Sequence, residues 1–323
     1  MSLQEQLGDN VAFVFPGQGS QAVGMGQALY RTSAAARATI DEADELLGAN
    51  LSTLAFEGPV EELNDTYNAQ AAILTVSIAA LRALNEAAVA GGEQVNPIVV
   101  AGHSLGQFTA LAAAGSLPFA ATLSLVRERG RLMAESGATR PGGMAAVLGL
   151  DEAALVRICD QASSAGIINV ANSNCPGQIV ISGEVRALEQ AMDLAKAAGA
   201  KRVARLPVSI ASHSPLMEEV SLRLKALTDE LDFATPSFPI VGNVSGKPIT
   251  TVGGIRSELE HHVERPVNWI GSVQEMVAHG ADTFVELGPG AVLAGLIKRI
   301  DRSVKTVSML DLGLELQRSR GAG

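Results

Sequence analysis

The sequence predicts an α/β fold that carries a smaller inserted unit, and three observations lead to this prediction. Apolar residues make up 47% of the 323 residues and aromatic residues only 3%, with 33 glycines, which favours closely packed helix and sheet layers over an all-β fold. Apolar strand patterns alternate with helical patterns along most of the chain. Between residues 141 and 205 the order becomes strand, helix, strand, strand, helix, strand, which is that of a ferredoxin-like unit.

The first part of the chain alternates strands and helices. The run VAFVF is the first strand, and Pro16 ends it ahead of a glycine-rich loop. The patterns predict a strand at 11–15, helices at 33–47 and 68–88, a strand at 97–101, and helices at 108–115 and 119–135. GATRPGG, which follows at 137–143, is a linker by composition.

Beyond this linker the pattern is that of the insert, and core-type elements then resume. The insert is predicted to have strands at 144–150, 167–172, 178–182 and 201–208, and helices at 151–165 and 184–198. The later elements are strands at 238–244 and 283–288 and helices at 253–264, 270–279 and 291–301. We therefore divide the chain into a core, residues 1–140 and 206–323, and an insert, residues 141–205. The final LQRSRGAG is expected to be frayed.

Composition and cysteine usage argue against several classes of protein. The formal net charge of −10 opposes general binding to nucleic acid. No apolar run approaches the roughly 18 residues that a membrane span needs, and the N-terminus lacks the pattern of a secretory signal. Cys159 and Cys175 have neither metal-ligand spacing nor the pattern of a disulfide framework, so we expect a reducing, cytosolic setting.

The run GHSLGQ at 102–107 predicts a serine nucleophile. It places G-x-S-x-G between an apolar strand and an Ala-rich helix, which is the setting that a nucleophile elbow requires. Ser104 would lie on a sharp turn, so the residues two before and two after it must lack side chains. The amides at the N-terminus of the next helix would then face the oxyanion that forms during acyl transfer. An ordinary Gly-rich turn is the alternative interpretation.

A serine nucleophile needs a base, and five histidines are candidates. His103 lies inside the elbow and is expected to point elsewhere, and His279 ends a helix before a glycine. His213 lies in SIASHSPLM, a loop of small residues after a strand, where bases are often presented. We favour His213 over the pair His261 and His262, which we place in an amphipathic helix. No acidic residue stands out as a third member, so a backbone carbonyl is the alternative acceptor for the imidazole Nδ1–H and would make a dyad.

The loop GQGSQ, after the first strand, has a rival interpretation as a dinucleotide site. Gly17, Gly19 and Ala22 fit G-x-G-x-x-G/A after a strand. Such a site also needs a second strand that ends in an acidic residue about 20 positions further on. Asp41 and Glu42 stand in a helical pattern instead, so we favour a loop that supplies a second amide to an oxyanion hole.

Seven motifs in order resemble those of the malonyl-CoA:acyl-carrier-protein transacylases: FPGQGSQ, GHSLGQ, RERGRLM, NSNCPGQIVISG, ASHSPLM, RPVNW and VELGPG. The resemblance runs from about Val11 to Ile300. It implies an α/β-hydrolase-like core with an inserted ferredoxin-like small subdomain, in agreement with the order of elements. It also implies a cytoplasmic acyltransferase that moves malonyl from coenzyme A to acyl carrier protein for fatty-acid synthesis.

The resemblance assigns a role to each candidate residue. It makes Ser104 the nucleophile and His213 the base, and it takes the oxyanion-hole amides from Gln18 and Leu105. It makes Arg129 the clamp for the free malonyl carboxylate, because a guanidinium presents two parallel donors that match a carboxylate.

Four further positions follow from the same comparison with the family. Arg127 and Arg131 lie two residues either side of the clamp and would face away from it on a helix. Asn174 is implied to line the cleft. His262 stands where the family often has a glutamine whose backbone carbonyl orients the histidine. We expect that backbone role to survive, and we count the His262 side chain among the substrate-binding residues.

No metal or redox cofactor is expected, and the expected partners of this monomeric enzyme are malonyl-CoA and acyl carrier protein. Lys201 and Arg202 form a basic pair on an acidic chain, close in sequence to His213, and we expect them to dock the acidic carrier protein. The next candidate for docking is the basic cluster of Lys298, Arg299 and Arg302.

Three alternatives stay open. One is a discrete acyltransferase that loads a polyketide synthase, because Ile210–His213 (IASH) is near forms used for branched extender units, although Leu105 favours malonyl. Another is a serine hydrolase, which would share the Ser–His pair but would not need Arg129. The third is a non-enzymatic acyl-binding protein, which the presence of both Ser104 and His213 opposes.

Overall fold

The computed structural model describes residues 2–309 and 311–313, so the tail LQRSRGAG lies outside the described residues. The strands are β1 Val11–Phe15, β2 Val99–Gly102, β3 Gly142–Leu148, β4 Ile168–Cys175, β5 Gln178–Glu184, β6 Arg202–Arg205, β7 Ile240–Val241, β8 Pro248–Ile249, β9 Thr283–Glu286 and β10 Lys305–Ser308. The helices are α1 Leu3–Leu7, α2 Gln27–Thr32, α3 Ala34–Leu47, α4 Leu51–Glu57, α5 Val60–Asn64, α6 Thr66–Ala90, α7 Gly106–Ala113, α8 Phe119–Thr139, α9 Glu152–Ala162, α10 Val185–Ala197, α11 Glu218–Asp229, α12 Val252–Glu260, α13 Trp269–Ala278 and α14 Val292–Ile300. Two 3₁₀ turns, Ser163–Ala165 and Pro215–Met217, complete the helical elements.

The larger sheet has six strands in the order β10-β9-β1-β2-β7-β8. All neighbouring strands from β10 to β7 are parallel, and β8 closes the sheet as an antiparallel hairpin partner of β7. Because parallel strands end at the same edge of a sheet, the loops after β1, β2 and β7 meet there. This edge carries the candidate nucleophile.

Both faces of the six-stranded sheet are covered, which explains why its strands are apolar without alternation. Phe13 and Phe15 of β1 belong to the large core beneath α6, α7 and α8. Ala12 and Val14, which point the other way, belong to a second core that contains Trp269 of α13. The glycine-poor, β-branched and aromatic run VAFVF is therefore the central layer of the fold.

Helix α6 forms the middle of the larger core. By length and composition it is the one described helix that could cross a membrane, although we expected no run of that length. Of its most apolar 18-residue window, 67% is buried inside the fold, which is typical of the core helix of a soluble protein. Helices α3 and α8 pack along α6 and cover it.

The smaller sheet has four strands in the order β4-β5-β3-β6, and every neighbouring pair is antiparallel. Helices α9 and α10 cover one of its faces with an apolar core of their own. The order of elements is the predicted ferredoxin-like one, and the α/β fold class is confirmed. Strand β4 also contacts the segment that precedes α13: the Ser173 amide donates to the Val267 carbonyl oxygen at 3.0 Å, and the Val267 amide donates to the Ala171 carbonyl oxygen at 2.8 Å. The domain division at 141 and 205 stays a prediction.

Several predicted boundaries were wrong. The linker at 137–143 does not form, because α8 continues to Thr139 and β3 begins at Gly142. The helix predicted at 253–264 ends at Glu260, and His261 is its C-cap. Helix α11 and strand β10 were not predicted, and the strand predicted at 238–244 is only two residues long.

Candidate active site

Ser104 lies on the turn between β2 and α7 with a φ of 49°, a backbone conformation that is uncommon outside glycine. The two flanking glycines make the turn possible. A Cβ on Gly102 would lie 1.9 Å from the carbonyl carbon of Gly106, and a Cβ on Gly106 would lie 2.0 Å from the carbonyl oxygen of Phe15. The elbow predicted from GHSLGQ is therefore formed, and its glycines are required by close backbone packing.

Asn243, which follows β7, holds this turn from the neighbouring strand. Its Oδ1 accepts the Ser104 amide at 2.6 Å, and its Nδ2 donates to the Gly102 carbonyl oxygen at 2.6 Å and to Gln107 Oε1 at 2.7 Å. The side chain is fully buried. Since the Ser104 amide is already bonded, the oxyanion hole has to be built from other amides.

His213 faces the serine, with 2.8 Å between its Nε2 and Ser104 Oγ. Its φ is 58°, and these two residues are the only non-glycine positions with positive φ in the described part of the chain. Its amide donates to the Val263 carbonyl oxygen at 2.8 Å, and its own carbonyl accepts Asn169 Nδ2 at 2.8 Å. Hydrogen bonds on both sides of the residue therefore maintain the strained backbone.

The third member of the site is a backbone carbonyl, as the dyad alternative required. His213 Nδ1 lies 3.0 Å from the carbonyl oxygen of Arg265, and since a carbonyl only accepts, Nδ1 carries the proton and Nε2 is the free base. We expected the carbonyl of His262; the Arg265 carbonyl is the acceptor at hydrogen-bond distance from Nδ1, and the His262 backbone makes a smaller contribution that also raises the pKa of His213. Burial, with the nearby positive charge of Arg129, lowers the pKa of His213 to about 3, so the imidazole is neutral at pH 7.

The His262 side chain lies behind the dyad and not in the cavity wall, which corrects its expected place among the substrate-binding residues. It is buried, and its ring packs edge-on against Phe108 at 5.1 Å and against His213 at 6.1 Å between centroids. Burial lowers the pKa of His262 well below the usual value for histidine. A histidine here fills space behind the base.

The remaining histidines are excluded as bases by their partners. His103 turns away from the nucleophile, and its Nε2 lies 2.8 Å from Asn174 Oδ1. His261 Nδ1 lies 2.7 Å from Glu264 on the surface, and His279 is the C-cap of α13. The preference for His213 agrees with this geometry.

The two amides assigned to the oxyanion hole are free. Within the described residues, neither the Gln18 nor the Leu105 N–H donates to a protein acceptor. The loop that carries Gln18 packs tightly on the elbow, because a Cβ on Gly17 would lie 2.4 Å from the His103 carbonyl oxygen. Gln18 follows β1 and Leu105 precedes α7, so both amides lie at the edge where these parallel strands end.

Arg129 reaches the site from α8 and is 1% exposed. Its Nη2 donates to Ser104 Oγ at 3.3 Å, its Nη1 donates to Gln70 Oε1, and its Nε has no partner among the described residues. No described carboxylate pairs with it. Burial lowers its pKa to about 9, so the guanidinium stays charged at neutral pH and lacks a counter-ion. An anionic ligand would satisfy it.

The neighbouring arginines serve other purposes, as expected. Arg127 lies over the Tyr67 ring and donates to its carbonyl oxygen at 3.0 Å. Arg131 pairs on the surface with Glu128 and Glu135.

These groups line a cavity of about 500 Å³ between the two sheets. Gln18, Ser104, Arg129 and His213 lie on the side of the six-stranded sheet, and the opposite wall comes from the four-stranded sheet and the strand that leaves it: Met144, Asn172, Asn174, Val180, Leu206 and Val208. Asn174 is thus where the sequence placed it. Within the described residues no cluster of three potential metal ligands occurs. Asp41 and Glu42 lie in α3, which removes the acidic strand end that a dinucleotide site needs.

The expected docking pair lies on the surface. Lys201 and Arg202 are exposed at the start of β6, and neither side chain has an ion pair or hydrogen bond in the part of the chain that the structure describes. Leu206 of the cavity wall lies four residues further along, about 13 Å at the rise of an extended strand. In the alternative cluster, Arg299 donates to Gln178 Oε1 at 2.6 Å and Lys298 donates to the Val304 carbonyl oxygen.

Four functional groups were missed at the sequence level: Asn243, Gln70, Thr66 and the Arg265 carbonyl. Asn243 lies inside the strand predicted at 238–244, and the signal for its role appears only in the structure, where β7 ends at Val241 beside β2. Gln70 and Thr66 are buried polar residues four apart on a long apolar helix, and such polar residues need partners. The Arg265 carbonyl carries no sequence signal, because every residue has a carbonyl group.

Comparison with known proteins agrees with this site. The acyl transferase domain family matches residues 12–321. The malonyl CoA-acyl carrier protein transacylase of Bacillus subtilis is 44% identical over 302 residues, which cover 93% of each protein, and that of Escherichia coli is 42% identical over 90% of this chain and 92% of its own. The acyl carrier protein S-malonyltransferase structure of Vibrio cholerae superimposes with a TM-score of 0.88 at 40% identity, covering 93% of this chain and 96% of that one. A malonyl-transacylase in complex with its type II PKS acyl-carrier protein superimposes with a TM-score of 0.90 at 38% identity, covering 95% and 98%. The chain therefore belongs to the malonyl-CoA:acyl-carrier-protein transacylase family of acyltransferases.

Proposed function

We propose that this chain moves a malonyl group from coenzyme A to the phosphopantetheine thiol of an acyl carrier protein, through a malonyl ester of Ser104. The observation that carries the proposal is a buried guanidinium, that of Arg129, 3.3 Å from the nucleophile and without a counter-ion. Malonyl has a free carboxylate that supplies the missing charge, and acetyl has none. The names of the relatives support the same substrate and the same carrier.

In the first half-reaction, His213 Nε2 takes the proton of Ser104 Oγ as the oxygen attacks the malonyl thioester carbonyl. The oxyanion accepts hydrogen bonds from the free amides of Gln18 and Leu105. The carbon–sulfur bond breaks, and the coenzyme A thiolate leaves with the proton that His213 carries. The Arg265 carbonyl holds the imidazole by Nδ1 throughout.

In the second half-reaction, the carrier protein's thiol occupies the position that coenzyme A left. His213 takes the thiol proton, the sulfur attacks the malonyl ester, and the bond to Ser104 Oγ breaks. The serine oxygen recovers its proton from the imidazolium. These steps use groups of the chain alone, so we propose that the reaction needs no metal or redox cofactor. We also propose a cytoplasmic location, because Cys159 and Cys175 are both free and buried.

Two pathways use this chemistry. We propose fatty-acid synthesis, because the Bacillus and Escherichia enzymes are 44% and 42% identical to the chain. The transacylase that was solved with a type II PKS acyl-carrier protein favours polyketide loading as the second candidate. Discharge rates onto a carrier protein of each type, measured side by side, distinguish the two.

The proposal is tested by intact-protein mass spectrometry after mixing with malonyl-CoA. We expect one malonyl adduct, located on Ser104, that persists after desalting and disappears on addition of carrier protein. Ser104→Ala should carry no adduct. Rapid loss of malonyl to water without a carrier protein would instead identify a serine hydrolase, and no adduct at all would leave only an acyl-binding role.

A further inference from the structure

A chain of hydrogen bonds connects the carboxylate clamp to the oxyanion loop. Arg129 Nη1 donates to Gln70 Oε1, Gln70 Nε2 donates to Thr66 Oγ1 at 2.9 Å, and Thr66 Oγ1 donates to Gln18 Oε1 at 2.9 Å. Thr66 and Gln70 are one helical turn apart on α6, and both are buried, with exposures of 6% and 0%. The chain is therefore buried from Arg129 to Thr66, and it reaches the exposed surface only at the Gln18 side chain.

The direction of every bond in this chain is fixed by Arg129. A guanidinium only donates, so the Gln70 oxygen has to face it, and the Gln70 amide nitrogen then faces Thr66. The threonine hydroxyl accepts that bond, which leaves its own proton for Gln18 Oε1. The positive charge therefore orients three neutral groups in sequence.

We propose that Gln70 is a specificity-determining residue, which rests on the function proposed above. Its neutral amide holds Arg129 in place without cancelling the charge that attracts the malonyl carboxylate. Through Thr66 it also holds the side chain of Gln18, whose backbone amide belongs to the oxyanion hole. The two hydrogen bonds of Gln70 therefore have different roles. The bond from Arg129 affects which acyl group is chosen, and the bond to Thr66 affects the rate of transfer for any acyl group.

The charge argument determines which residue can stand at position 70. A glutamate there would form a buried ion pair with Arg129, because Gln70 Oε1 already accepts from the guanidinium. The pair would cancel the field that selects a dicarboxylic acyl group, and the malonyl carboxylate would then meet a like charge. A methionine of similar volume would leave the guanidinium charged and only less firmly held.

Gln70→Glu and Gln70→Met are compared by rates of self-acylation from malonyl-CoA and acetyl-CoA. For Gln70→Glu we expect kcat/KM for malonyl to fall by about 30-fold or more and that for acetyl to stay within a few-fold, which reverses or removes the preference. Gln70→Met should keep the malonyl preference. Gln161→Glu, which adds the same charge on the exposed side of α9, should match the wild type. If both Gln70 variants lose the preference equally, or neither does, the charge argument is overturned.

Thr66→Val tests the second part of the hydrogen-bond chain, the link from Thr66 to the Gln18 side chain. It keeps the bond between Arg129 and Gln70 but frees the Gln18 side chain, so we expect kcat to fall by a similar factor for both acyl groups with the malonyl-to-acetyl ratio unchanged. A change in that ratio, or no change in kcat, would contradict a role through Gln18. Acylation of Ser104 in the wild type tests the proposed function separately. If the wild type forms the malonyl adduct but the variants do not give the expected rates, the inference about Gln70 fails and the proposed function stands.

Discussion

Arg129 Nη2 donates a hydrogen bond to Ser104 Oγ across 3.3 Å, so the guanidinium and the serine hydroxyl are in direct contact. An acyl group that bridges the two must be short, because its carboxylate and its thioester carbonyl have to lie side by side. Malonyl meets this requirement.

Replacing Arg129 is expected to change the choice of acyl group. Arg129→Ala should lower malonyl transfer by 30-fold to several thousand-fold, the equivalent of about 2–5 kcal/mol for a lost buried charge pair. Acetyl transfer should hold or rise, since acetyl makes no use of the charge. Self-acylation rates with the two thioesters measure the ratio. Equal losses would indicate that the arginine is structural.

Arg131→Ala is the matched control for that experiment. It removes an arginine two residues away on the same helix, whose partners Glu128 and Glu135 are on the surface. Because exposed pairs contribute about 0–1 kcal/mol, we expect neither acyl group to be affected by more than a few-fold.

The acylation rate should not fall between pH 8 and pH 5 through protonation of the catalytic histidine. The pKa of His213 is lowered to about 3, so the base stays neutral and active as the pH falls from 8 to 5. kcat/KM for malonyl-CoA, which reports the free enzyme, should be flat over that interval. Arg129→Ala removes one cause of the lowered pKa, so its residual acetyl transfer should fall off at a higher pH than in the wild type. A wild-type midpoint near 6.5 would contradict the buried, neutral base.

The stability of the fold should decrease below pH 6.5 because of its buried histidines. His103, His213 and His262 all have a lowered pKa when folded, owing to burial, while their unfolded pKa is near 6.5. Below 6.5 the unfolded state binds more protons, so the free energy of unfolding falls by up to about 1.4 kcal/mol per pH unit for each group. Denaturant unfolding between pH 5 and 6.5 measures this slope. His262→Phe should reduce it by one proton, and parallel curves would contradict the assignment.

Gly106 and Gly295 should respond to replacement by alanine in opposite directions. Gly106→Ala would bring a Cβ within 2.0 Å of the Phe15 carbonyl oxygen, so we expect a large loss of both stability and acylation. Gly295, exposed within α14, has nothing within 4 Å of an added Cβ. Gly295→Ala should therefore raise the free energy of unfolding by about 0.5–1 kcal/mol with activity unchanged. Thermal melting with an acylation assay decides both; a stable, active Gly106→Ala would disprove the account of the elbow.

Reversing the charge of Lys201 and Arg202 together should weaken use of the carrier protein. Both side chains are exposed and unpaired in the region that the structure describes, so they are available to an acidic partner. We expect a higher KM for the carrier protein, a flatter salt dependence of discharge, and unchanged self-acylation from malonyl-CoA. Wild-type discharge at low salt would move the docking site to the cluster of Lys298, Arg299 and Arg302.

Much of this site was predictable because its chemistry requires particular residues at particular spacings. The elbow needs glycine two positions before and after Ser104, and this local pattern can be recognised directly in the sequence. The clamp was predictable only through the family, since RERGRLM by itself offers three arginines and burial selects one.

The rest could not be read from the sequence, because it depends on which segments meet. The Arg265 carbonyl orients His213 only because the turn after α12 packs against the loop after β6. Composition suggested a linker at 137–143, yet Gly137 packs closely on Ile210, where an added Cβ would lie 2.8 Å from its Cγ1, and a linker would not do so. The position of His262 also depends on tertiary packing: it was expected at the cleft, but its ring packs between Phe108 and His213.

The cavity lies between the two sheets, with Ser104 at the edge of the six-stranded sheet and an opposite wall formed by Met144 and Val180 of the four-stranded sheet and by Leu206, directly after β6. For enzyme engineering, this division means that the residues of the opposite wall can be mutated in combination to change the range of acyl groups accepted. The elbow at Ser104 and the hydrogen-bond chain from Arg129 to Gln18 stay unchanged. A saturation library at those three positions would explore bulkier extender units on an unaltered catalytic centre.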